Sequence, residues 1–128
     1  KDLKIGDWLY NINMDDKEKA LLGNIKEFSK KAEEAKRDMA YNSAVTLFFK
    51  AIAVLVDLFI LKKEGLIPSN HAERFRILEA KYPFLYSVLD KSFPVYQNSY
   101  RLKLNKKYVE ILENDFKEAL KFTGIKLD

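Results

Sequence analysis

Ser43-Ala44-Val45-Thr46-Leu47-Phe48-Phe49-Lys50-Ala51-Ile52-Ala53-Val54-Leu55-Val56-Asp57-Leu58-Phe59-Ile60-Leu61 is the stretch whose reading decides the fold. It is long enough to raise the question of a membrane span. Lys50 and Asp57 argue against one, since either charge would be costly at bilayer depth. A helix apolar almost all round is more simply the central element of a bundle. Thr46, Lys50, Ala53 and Asp57 recur at steps of four, three and four, so they share one stripe, the only face able to look toward water or a partner subunit. Lys62-Lys63-Glu64-Gly65-Leu66-Ile67-Pro68 then closes the helix: basic residues in the last turn, a glycine next, a proline shortly after.

Upstream, Asp15-x-x-Glu18 reads as a helix N-terminus with a capping carboxylate. Leu21, Ile25, Phe28, Ala32, Ala35 and Met39 then recur at helical steps, which predicts a helix over about 15–39 with those residues on its inner face. Downstream, Asn70-x-x-Glu73 opens a shorter helix through about Lys81, which Pro83 ends. Residues 84–103 are helical in pattern, broken or kinked by Pro94 near Phe93. A last helix runs from about Asn105 to Thr123, with Tyr108, Leu112, Phe116, Ala119 and Leu120 inward and Gly124 at its end. The expected fold is all-α: an up-and-down four-helix bundle with an additional short helix. Residues 1–14 are a lead-in whose Trp8, Leu9, Tyr10 and Ile12 could pack onto the bundle, 15–124 form one domain, and 125–128 are a tail.

Composition agrees. A chain of 128 residues fits one domain with one core, and four glycines and three prolines supply too few turns for an all-β fold. The net charge of +4 and pI near 9.1 permit nucleic-acid binding without demanding it; a lysine- and glutamate-rich surface is the plainer reading of charge alone. Without cysteine there are no disulfides or thiolate sites, and a single histidine, His71, cannot build a multi-histidine metal site within one protomer. Glu110, Glu113 and Glu118 have no histidine partner for a di-iron site, and no Gly-rich phosphate loop is present. No cofactor is expected. Lys1-Asp2-Leu3-Lys4 is not followed by an apolar signal segment, so a cytoplasmic location is expected. The chain begins without methionine, which is read as trimming or excision from a longer protein.

Three segments together carry a resemblance: Arg37-Asp38-Met39-Ala40-Tyr41-Asn42-Ser43-Ala44-Val45, Gly65-Leu66-Ile67-Pro68-Ser69-Asn70-His71, and Tyr100-Arg101-Leu102-Lys103-Leu104-Asn105-Lys106-Lys107-Tyr108 with Glu118-Ala119-x-x-Phe122 after it. In order and spacing they resemble HEPN domains, small helical bundles many of which are ribonucleases, over about residues 26–123. The family motif runs Arg, four to six residues, His, one residue, Tyr. Arg101 and Tyr108 fall in register, while Lys106 stands where the histidine belongs and Leu102 follows the arginine, often with a polar residue there in active members.

The resemblance implies a homodimer with a shared cleft, metal-independent attack of an RNA 2′-hydroxyl on its phosphate, and in some members a nucleotidyltransferase-type antitoxin as partner. A guanidinium suits phosphate clamping and an imidazole suits proton transfer near neutral pH, whereas a lysine is a poor base unless its environment changes it. The expectation is a HEPN-like domain, catalytically weak or inactive, that binds RNA, a nucleotide or such a partner. One alternative is an active toxin-type ribonuclease in which Arg101 stabilises the phosphate and Lys106 or His71 replaces the missing histidine. A purely structural dimerisation module is the other. Candidate nucleic-acid contacts are Arg101, Lys103, Asn105, Lys107 and Tyr108, with Lys106 widening the positive patch and Tyr96 and Tyr100 available for stacking. On a continuous helix Arg101, Leu104, Asn105 and Tyr108 would share a face; Asn105 is the natural cap of the last helix. Lys50 of one protomer and Asp57 of its twofold partner are the expected dimer contacts; a surface pair, or a pairing of each with other helices, is the competing reading.

Overall fold

Apolar faces at helical spacing and well-placed stop residues give five helices among the described residues, 14–128, of the computed structural model: α1 Met14–Arg37, α2 Tyr41–Glu64, α3 His71–Lys81, α4 Pro83–Asn98 and α5 Lys106–Thr123. The packing expected of Trp8, Leu9, Tyr10 and Ile12, and the capping role of Asp15, lie outside the described residues and side chains.

α2 is the hub. Thirteen of its residues, from Ala44 to Leu61, are buried. By length and composition it could cross a membrane, and 78% of its most apolar window is covered by the other helices. α1 returns antiparallel along it, with Ile25 and Ala32 fully buried. α4 also runs against it, bringing Tyr96 onto Phe49 with ring centroids 4.3 Å apart. α5 runs alongside in the same sense as α2, since Phe116 lies near Phe48 and Phe122 near Phe59. The short α3 lies over the C-terminal half of α2. Ile125 and Leu127 of the expected tail also pack against the core.

The helix ends follow local chemistry. Gly65 and Gly124 take left-handed conformations (φ 79° and 70°) that close α2 and α5. The Asn70 side chain accepts from the Glu73 N–H, and the Glu73 carboxylate reaches back to the Ser69 N–H, so α3 is capped reciprocally. Pro83 both ends α3 and opens α4 at its first turn. Pro94 leaves α4 continuous: it and Asp90 are exposed, so water can take the carbonyl that lacks a helical partner.

Several faces differ from expectation. Met39 does not continue the inner face of α1. Bonds from the Ala40 N–H to the Ala35 carbonyl and from the Met39 N–H to the Lys36 carbonyl close the helix and turn Met39 left-handed (φ 59°), leaving it 71% exposed. On α5 the inward residue of the first turns is Val109, while Tyr108 stays on the outer side, and Asp115 is buried beside Phe116. On the α2 stripe Lys50 is exposed and Thr46 and Ala53 are half-buried. Asp57 does not face outward: Arg74 covers it, with Nε–Oδ1 at 2.7 Å and NH2–Oδ2 at 2.9 Å. Its carboxylate is taken up within the chain, while the Lys50 ammonium lies 6.0 Å from the Phe28 ring centre.

Candidate nucleic-acid interface

The candidate contacts gather at one end of the bundle, where the α1–α2 link meets the α4–α5 connection. They do not share a helical face. Residues 99–105 leave the helix, because α4 finishes in tight bonds, Ser99 N–H to the Tyr96 carbonyl (3.0 Å) and Arg101 N–H to the Asn98 carbonyl (3.1 Å). What holds this loop is Asn42, at the start of α2. Its amide NH2 donates to the carbonyls of Ser99 (2.8 Å) and Leu102 (2.6 Å), and its carbonyl accepts from the Leu104 N–H (2.9 Å). The Thr46 and Ser99 hydroxyls add a 3.1 Å contact, and Leu104 is buried beneath the loop. One amide side chain thus satisfies three backbone groups that have no helix to serve them.

That staple pushes the rest of the loop outward. Tyr100 is 71%, Leu102 55% and Tyr108 37% exposed. Arg101, Lys103, Lys106 and Lys107 are exposed, and no carboxylate among the described residues forms a salt bridge with any of them. Asn105 caps α5, its side-chain oxygen accepting from the Lys107 N–H at 3.1 Å. Lys106 and Lys107 therefore sit on the first turn of α5, which carries no acidic residue. Cations at the positive end of a helix dipole oppose local stability and strengthen attraction for an anion. Two shallow clefts flank Asn42. One of about 340 Å³ reaches Met39, Ser43 and Lys103, and one of about 400 Å³ reaches Thr46, Leu47 and Ser99.

Tyr96 is not free to stack on a base with its buried face, because that face lies on Phe49; its hydroxyl meets that of Tyr100. His71 does not touch the loop in any ring contact; Phe93 and Tyr96 stand between it and Tyr100. It lies beyond the Phe49–Tyr96 layer, with Arg74 NH1 2.8 Å from its Nδ1. Sequence reasoning quoted Asn42 without a role for it. The signal was available, since extending the Thr46–Lys50–Ala53–Asp57 stripe back by four residues lands on Asn42. Among the described residues no group of three or more His, Asp or Glu is placed to hold a metal ion.

No family model, curated protein or solved structure matches this chain.

Proposed function

We propose that this chain is a HEPN-like bundle whose Asn42-stapled end binds single-stranded RNA or a nucleotide, with little or no cleavage. One observation carries the reading: four exposed cations with no salt bridge among the described residues, and two exposed tyrosines, stand on or beside a loop locked by three hydrogen bonds to Asn42. Exposed cations with interleaved aromatics suit a phosphate backbone with unstacked bases. Weak catalysis follows from the placement of the proton-transfer groups. Lys106 opens α5 in solvent, and the only histidine is occupied at the α2–α3 contact. Of the three segments that carry the HEPN resemblance, those around Asn42 and around Arg101 meet here, which supports reading these two as one unit.

The test is fluorescence anisotropy with labelled single-stranded RNA across a salt series, with a metal-free cleavage assay on the same samples. Wild-type affinity is expected to fall as salt rises, and Arg101→Ala to flatten the log–log salt slope by about 0.7, one phosphate contact on a single strand. Thermal stability should be unchanged, since the Arg101 side chain is exposed. Salt-insensitive or absent binding by folded protein would sink the proposal. Cleavage that vanishes in Arg101→Ala would replace it with a ribonuclease.

A further inference from the structure

His71 is the only histidine in the chain and opens α3. Its ring is wedged among Phe93 (centroids 4.3 Å apart), Phe75 (4.7 Å, edge-on) and Phe49 (5.8 Å). NH1 of Arg74 lies 2.8 Å from Nδ1, and the same guanidinium uses Nε and NH2 to grip both oxygens of Asp57. A guanidinium only donates, so Nδ1 must be the acceptor and the proton of the neutral ring must sit on Nε2. That nitrogen is buried and has no hydrogen-bond partner among the described residues. The tautomer is therefore dictated by Arg74, and both ring nitrogens are poorly placed to carry a second proton.

We propose that this chain of contacts is an acid-sensitive latch: protonation of His71 at Nδ1 sets one donor against another, breaks the Arg74 contact and loosens α3 from α2 and α4. The charges acting on the ring are the Arg74 guanidinium from its own helix and the Asp57 carboxylate from α2; α4 contributes the apolar Phe93. Burial first, and then Arg74, push the imidazole below its ordinary 6.5, with Asp57 opposing them. The native state thus favours the neutral ring. The latch is closed above 6.5 and opens as pH falls from there through the native-state pKa. α3 is suited to local release, because Leu78 is its only fully buried residue, while Phe75 and Ile77 are half-buried and ion pairs at Arg74 and Lys81 supply the polar part of its attachment. This inference is independent of nucleic-acid binding.

Because there is one histidine, its ring proton signals in an NMR titration need no assignment by mutation. The midpoint is expected below 6.5. Hydrogen-exchange protection factors of α3 amides should fall between about pH 7.5 and about pH 5, by at most about tenfold per pH unit, while those of α2 hold. His71→Gln retains an acceptor but cannot titrate, so it should remove the pH dependence of α3. A midpoint at or above 6.5, pH-independent protection of α3 in the wild type, or an undiminished response in His71→Gln would each overturn the latch. Should the variant fail to fold, the two wild-type measurements decide alone.

Discussion

The two ends of this bundle are built on opposite principles. At the Asn42 end a neutral amide holds the chain together, and Arg101, Lys103, Lys106 and Lys107 face solvent with no salt bridge among the described residues. At the other end charged groups do the holding. Lys62 meets Glu18 at 3.2 Å, Lys81 meets Glu64 at 2.6 Å, and the Tyr82 hydroxyl donates to the same Glu64. That hydrogen bond is the main reason the Tyr82 phenol is pushed up to about 12. Exposed aromatics at this end cover one another, Phe84 stacking on Phe122 at 5.0 Å and Phe122 lying 6.0 Å from Phe59. A cleft of about 380 Å³ lies here too, lined by the paired Glu18 and Lys62 and also by Lys19 and Lys126. The lesson concerns what fixes the backbone rather than cavity size: clefts of similar volume sit at both ends, but only at the Asn42 end does one neutral side chain shape the loop that borders them.

This contrast can be broken by experiment. Asn42→Ala should have the largest effect, about 3 kcal/mol in urea denaturation, from three hydrogen bonds at about 1 kcal/mol each. RNA affinity should fall with it as the loop loses its shape. A loss below about 1 kcal/mol would mean that the loop is held by something other than the amide. Phe122→Ala should lower stability by about 1–2 kcal/mol, because the ring is half-exposed, and leave RNA binding untouched. Lys81→Ala should change stability by less than about 1 kcal/mol and vanish in high salt, as an exposed ion pair does.

In the middle of the bundle the expected change is a small gain in stability. Asp115 is buried, with Oδ1 2.9 Å from the Lys91 ammonium and Oδ2 unpartnered. Burial, above all, raises its carboxyl from the ordinary 3.8 despite Lys91. The folded state therefore holds this proton more tightly than the unfolded one. Its contribution to stability is full below 3.8 and is lost as pH rises through the native-state pKa. Asp115→Asn should flatten that part of the pH–stability curve and slightly raise stability at neutral pH, as read by chemical denaturation over a pH series.

What the sequence disclosed was local. The apolar period of α2, the glycines at 65 and 124, and the asparagine caps at 70 and 105 each act within a few residues, and each is where the pattern predicts. Pairings between distant segments left fainter traces. Nothing near Asp57 in the sequence announces Arg74, which grips both oxygens of its carboxylate within the chain. On α5 the expected Leu112, Phe116 and Ala119 are buried, and only the first position differs: Val109, three residues before Leu112, takes the inward place expected of Tyr108. The loop at 99–105 reads as helix by pattern alone; Asn42, brought in from the other half of the chain, offers its backbone better partners.

The link between α1 and α2 bears on the order in which the molecule assembles. Only Asp38, Met39 and Ala40 separate two long helices that pack along much of their length. Closing so short a connection asks little chain entropy, whereas seating α5 on α2 must close a far longer loop. The α1–α2 hairpin is thus expected to form in the folding transition state before α5 docks. Truncations at Ala32 in the hairpin should then slow folding, while truncations at Leu112 in α5 should mainly speed unfolding; equal partitioning at both positions would exclude that order.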